Sequence, residues 1–247
     1  MHVAVVSIFP RLVRDALRTG VVGRALERGG FSLICVDPRD HTQDVHRTVD
    51  DRPYGGGPGM VMKVEPLRAA VREAMAALPP GSRRVALTAD GRRFDQALAR
   101  EASRGPGLLL VAGRYEGIDE RFLESEVEER WSIGDYVLSG GELPALVVID
   151  AIVRLLPGTL GDAESALQES FSEGLLDWPH YTRPPVLDGR EVPPVLASGD
   201  HRAIGRWRMK QALGRTWLYR PDLLERRTLS ADERGLLEEF KNERTRQ

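Results

Sequence analysis

Trp131-Ser-Ile-Gly-Asp-Tyr-Val-Leu-Ser-Gly-Gly-Glu-Leu-Pro144, with the apolar run Ala145–Leu156 behind it, decides how this chain is read. Three glycines, Gly134, Gly140 and Gly141, stand among residues too apolar for an ordinary surface loop. Pro144 suits the first turn of a helix, where its missing N–H leaves no bond unmade. The spacing predicts a helix from there through Leu156, stopped by Pro157-Gly158. That helix is apolar nearly all round, so it belongs in a core or against a second subunit. The charges of the run, Asp150 and Arg154, are four apart and share a face. A glycine-bent loop feeding a buried helix suits a ligand lying close to backbone; a tight turn before a core helix would look the same.

Working outward, strand-like and helix-like runs alternate. His2–Ile8 reads as a strand, Pro10–Arg28 as a helix, Phe31–Val36 as a strand and Glu65–Leu78 as a helix. Arg84–Thr88, Phe94–Ser103 and Gly107–Ala112 continue as strand, helix and buried strand. This order predicts an α/β chain with a mostly parallel sheet covered on both faces. Ligands of such sheets lie beyond the carboxyl ends of the strands, which points to Thr88–Gly91, Gly113–Gly117 and Ile133–Gly141 as loops that could converge. Thr159–Gly174 reads as a mobile linker and Pro179–Pro194 as extended. A helical unit follows, with Asp200–Leu213 capped by Asp200 and Ser230–Asn242 opened by the capping box Ser230…Glu233.

Composition bounds the possibilities. With 247 residues, 41% hydrophobic and 29% charged, the chain is expected to form one large domain and a small one. The run 145–156 is too short for a membrane span and carries two charges. The N-terminus lacks a basic segment and a cleavage site, so it reads as a first strand and not as a signal peptide. Cys35 is the single cysteine, which excludes an internal disulfide and makes the cytoplasm the expected compartment. A zinc site is not expected without a Cys or His cluster.

The net charge of −2 is uneven. Residues 172–247 hold 14 Lys/Arg against 12 Asp/Glu, and His201–Arg220 holds six basic residues and no acid, interleaved with Trp207, Trp217 and Tyr219. Such interleaving suits a polyanion with exposed bases; it also suits a solvated helix face. Tyr54-Gly-Gly-Gly-Pro-Gly59 lacks the Lys and Ser/Thr of a phosphate cradle and reads as a lid, an RNA-touching loop or a plain surface loop. Gly113-Arg-Tyr-Glu-Gly-Ile-Asp119 follows a buried strand, and its acids could serve a site or cap the next helix.

Several long segments together resemble one family. These are His46–Met60, Gly113–Arg121, Trp131–Pro144, Gly174–Pro184 and Glu191–Leu196, in order over essentially the whole chain. They look like the bacterial tRNA (guanine-N1-)methyltransferases of TrmD type. The resemblance implies a SPOUT-class parallel sheet with a C-terminal trefoil knot plus a small helical C-terminal domain. It implies a methyltransferase domain over 1–158 with the donor site, knot and dimer interface, a flexible linker over 159–173, and a helical tRNA-binding domain over 174–247. It further implies an obligate homodimer with shared active sites, S-adenosylmethionine as donor, Mg2+ dependence with ligands unassigned, and methylation at tRNA position 37, 3′ of the anticodon.

Carried over position by position, the resemblance implies a donor pocket of Leu87, Gly113, Tyr115, Glu116, Gly117, Ile133, Gly134, Tyr136, Leu138, Gly140, Gly141 and Pro144. A bent adenosylmethionine needs main-chain groups at close range and apolar walls, which this set offers. Guanine N1 must lose a proton before it attacks, so a carboxylate general base is needed, and charge building on O6 calls for a fixed cation. The resemblance assigns the base to Glu169, where the family usually has aspartate, and Arg154 suits the cation. For the anticodon stem-loop it implies Asp50 reading the neighbouring guanine, with His180, Arg183, Arg206, Arg208, Lys210 and Arg215 gripping RNA.

Overall fold

The computed structural model describes residues 1–161 and 169–245. The chain divides into two compact units, Met1–Ala163 and Glu164–Gln247. In the first, the strand β1 (His2–Val6) is buried on both faces: Val3 and Val5 enter one core, Ala4 and Val6 the other. A strand apolar on both sides has to be covered on both, and this dictates the layers.

After β1 come α1 (Pro10–Ala16), α2 (Gly20–Glu27), β2 (Ser32–Val36), the short antiparallel pair β3 (Asp50–Asp51) and β4 (Val61–Met62), and α3 (Val64–Ala76). Then follow β5 (Arg83–Arg93), α4 (Gln96–Ala102), β6 (Gly107–Ala112), α5 (Glu120–Glu126), β7 (Glu129–Ser132) and α6 (Glu142–Val153). The sheet runs in the order β2-β1-β6-β5-β7 with every neighbouring pair parallel. Val13, Val22, Leu98 and Ile149 bring α1, α2, α4 and α6 onto one face; Leu67 and Phe122 bring α3 and α5 onto the other. The α/β class with a parallel central sheet is therefore as read from the sequence.

Two element expectations change. Pro10–Arg28 is not one helix but two, turned apart where Gly20 takes a φ of +67°, a conformation open to glycine. Strand β5 continues past Thr88 to Arg93, and its register against β7 shifts between Leu87 and Arg92. The extra residues bulge out beside the strand end, a common device next to a site.

The second unit holds the hairpin β8 (Val186–Leu187) and β9 (Arg190–Glu191), then α7 (His201–Tyr219), α8 (Pro221–Glu225) and α9 (Ala231–Thr245). Leu175, Ala212, Leu213, Leu236 and Leu237 form its core. The Asp200 side chain accepts from the amides of Arg202 and Ala203, capping α7, which runs on past Leu213. Ser230 and Glu233 close the capping box in both directions, at 3.1 and 2.8 Å. Within the expected linker, residues 162–168 lie outside the described residues. Among the described residues no helix is long and apolar enough to cross a membrane.

Candidate active site

The carboxyl ends of β5, β6 and β7 deliver three loops to one cavity of about 440 Å³. It is lined by Leu87–Asp90 from the first, Gly113–Ile118 from the second and Trp131–Gly134 with Tyr136–Gly141 and Pro144 from the third. All of Leu87, Gly113, Tyr115, Glu116, Gly117, Ile133, Gly134, Tyr136, Leu138, Gly140, Gly141 and Pro144 border it. Sequence distance separates these residues widely; the parallel topology brings them together because every strand of the sheet ends on the same side.

Close backbone approach forms the floor. The Gly141 amide donates to the Gly113 carbonyl at 2.8 Å, and a Cβ on Gly141 would stand 2.6 Å from the Ala112 Cα. Tyr115 holds a left-handed φ of +61°, a strained setting for a residue with a side chain. Its neighbours hold it there: Glu116 donates to the Met60 carbonyl and Met62 to the Gly117 carbonyl, both at 2.9 Å. The residues just after the glycine-rich segment, Met60 and Met62, are thus tied to the cavity loop. Burial, then the nearby Asp50 carboxylate, push the Tyr115 phenol above its usual range, with Arg39 opposing. Asp50 itself pairs with Met62 across β3 and β4.

These walls fit a bent adenosylmethionine. Leu87, Ile133, Leu138 and Pro144 supply apolar surface, while the glycines leave main chain within reach of a polar edge. Among the described residues no group of three or more His, Cys, Asp or Glu side chains is arranged to hold a metal ion.

The cluster of Glu142, Ser7 and Arg114 escaped the sequence reading. Pro144 does stand in the first turn of α6, but the helix begins two residues earlier at Glu142, so a carboxylate with 1% of its surface exposed lies in the first turn of an otherwise apolar helix. It accepts from Ser7 Oγ at 2.7 Å and from Arg114 Nε at 2.8 Å. The available signal was an acid in the first turn of an apolar helix, which must find a partner when buried. Of the acids in Gly113–Asp119, Asp119 does cap α5, accepting from the Arg121 amide at 3.0 Å.

The other expected residues fall elsewhere. Arg154 caps the carboxyl end of α6, its amide on the Asp150 carbonyl at 3.1 Å. In the second unit Glu169 borders a separate cavity of about 270 Å³ with Leu175, Trp178, Arg208 and Met209. His180 Nε2 is 2.8 Å from Asp177 Oδ2, Arg183 precedes Pro184, and the Arg208 guanidinium stacks 4.8 Å over Trp178. Arg215 Nε is buried without a hydrogen-bond partner among the described residues. Arg206 and Lys210 are not open cations: Arg206 forms a two-pronged pair with Glu239 at 3.0 and 2.5 Å, and Lys210 meets Glu243 at 2.6 Å. The acids lie four apart on α9, a spacing that places them on one face.

A family model described as tRNA (Guanine-1)-methyltransferase TrmD matches residues 1–226. A protein of Methylococcus capsulatus called tRNA (guanine-N(1)-)-methyltransferase is 65% identical over 243 residues, covering 98% of this chain and 97% of its own. Proteins of the same description from Coxiella burnetii and Escherichia coli are 58% and 56% identical. The first covers 96% of both chains; the second covers 100% of this chain and 97% of its own.

Proposed function

The chain belongs to the tRNA (guanine-1)-methyltransferase TrmD family, and from that premise we propose how it carries a methyl group to guanine N1 of tRNA. It is a transferase, and its donor by family is S-adenosylmethionine. We assign the donor to the cavity of the first unit. What supports this is the convergence there of three glycine-bearing loops at the ends of parallel strands.

In the proposed chemistry the bound donor supplies an electrophilic sulfonium methyl. Glu169 takes the proton from guanine N1, leaving a nucleophilic nitrogen. Arg154 faces the charge that grows on O6 and lowers its cost. The loops at 113–117 and 133–141 hold the donor in line, so that alignment carries much of the rate. Mg2+ dependence is carried over from the family resemblance, with its ligands unassigned.

The target is the guanine at position 37, 3′ of the anticodon. Asp50 accepts from the neighbouring guanine, and His180, Arg183, Arg206, Arg208, Lys210 and Arg215 contact the stem-loop of the substrate. Two copies act together, each lending Glu169 to the other's donor site, and the C-terminal part of the first unit is knotted as in SPOUT proteins. The division of labour follows 1–158 for donor binding and dimer contact, 159–173 as a linker and 174–247 for tRNA. The cytoplasm, where tRNA matures, is the site of action.

The deciding experiment is methyl transfer from labelled S-adenosylmethionine to an anticodon stem-loop transcript, with the modified atom mapped. Label on N1 of the guanine following the anticodon, lost when that guanine is replaced by adenine, supports the reading. Label on a ribose oxygen or on another base overturns it.

A further inference from the structure

Resting on the assignment of the first-unit cavity to the donor, we propose that Arg114 and Glu142 are positioning residues for it. Their half-buried ion pair sets the separation of two of the three loops that form the cavity. Glu142 is 1% exposed, and its two carboxylate oxygens are divided between Ser7 Oγ at 2.7 Å and Arg114 Nε at 2.8 Å. Ser7 is fully buried one residue beyond β1, so the carboxylate is referenced to a central strand of the sheet.

Arg114 then reaches across. Its Nη1 donates to the Ser139 carbonyl at 3.0 Å, and its guanidinium lies 4.6 Å over the Phe9 ring. Its own amide is 3.2 Å from Met62 Sδ. One side chain therefore ties the second loop to both the third loop and the start of α6. Gly140 is fitted around it: a Cβ there would collide with the Arg114 guanidinium. The main-chain bond from Gly141 to Gly113 closes the same seam.

A charge pair withdrawn from water contributes little net stability unless its geometry is good and its remaining atoms are bonded. Its use is as a rigid spacer. Arg114 spends Nε and Nη1 on Glu142 and Ser139, so it acts on the donor through the loop it holds. A pocket preformed in this way need not spend binding energy on ordering its own walls.

The test is calorimetric titration of S-adenosylmethionine into the full chain, with steady-state kinetics and thermal unfolding alongside. Arg114→Lys keeps a cation beside Glu142, but one ammonium cannot replace a planar fork that serves Glu142 and Ser139 together. We expect donor binding about tenfold weaker, from displacement of the loop, with the tRNA KM and the thermal midpoint close to wild type. Glu142→Gln should weaken donor binding similarly.

Donor affinity within twofold of wild type in folded Arg114→Lys and Glu142→Gln overturns the inference. So does an affinity that falls only in step with the thermal midpoint, because the pair is then merely structural. A wild-type chain that binds no S-adenosylmethionine instead overturns the assignment of the cavity itself.

Discussion

Gly59 is built against the carboxylate of Glu116: a Cβ at Gly59 would collide with that side chain, and Gly59 holds a φ of +79°. Gly59→Ala therefore carries two separable costs. The left-handed backbone accounts for about 1–2 kcal/mol, and the collision adds to it. In a Glu116→Ala background the collision is gone, so the loss of stability on Gly59→Ala should shrink to the backbone share. Denaturant unfolding of the four chains measures this; an equal loss in both backgrounds would show that the carboxylate is not what Gly59 accommodates.

By resemblance Glu169 stands where the family usually carries aspartate, and the base role proposed for it gives a clear ordering of rates. Glu169→Gln is expected to slow methyl transfer by about a hundredfold or more, with donor binding unchanged. Glu169→Asp should retain activity, since the acid is kept and only one methylene is lost. Single-turnover rates on stem-loop RNA check this, and a Gln variant as fast as wild type would remove Glu169 from the chemistry.

Arg206 is engaged by Glu239, whereas Arg202 enters no ion pair among the described residues. Each phosphate contact adds about 0.7 to 0.9 to the salt slope of RNA binding. Arg202→Gln should lower the slope by about that much if it touches phosphate, and Arg206→Gln by clearly less. Filter binding across a salt series reads both slopes. A larger drop for Arg206 would mean that RNA draws it away from Glu239.

At the start of α9 the Ser230 amide, with Arg227 behind it, holds the Glu233 carboxyl below the usual glutamate range. A depressed folded pKa stabilises above the unfolded value and is lost as pH falls through the folded one. Glu233→Gln should cost about 1 kcal/mol near neutral pH, as loss of a capping interaction does. The gap between wild type and variant should close as the pH is taken from 7 down through the carboxylate range. Thermal unfolding at stepped pH measures it, and a gap independent of pH would exclude the carboxylate as its source.

How much of this was legible beforehand follows from the range of each interaction. The parallel sheet was readable because Val3–Val6 and Leu108–Val111 are apolar on consecutive positions, which only a doubly covered strand tolerates. The caps at Asp200 and Ser230 were readable because their bonds close within three residues. The twelve cavity residues were named from segment resemblance, and the rule for strand ends already grouped their loops. The ion pairs of Arg206 and Lys210 were not legible because their partners sit 33 positions away on another helix.

By itself, then, the sequence determined the alternation of strands and helices and the faces they bury, since those depend on period and local bonding, but not the turn at Gly20 or the extension of β5 to Arg93. The contact of Arg114 with Glu142, 28 positions apart, and of Glu142 with Ser7, 135 apart, was decided only by the tertiary structure. A buried charge takes its partner from whatever the packed layers bring within hydrogen-bond range, and no local pattern records which residue that is.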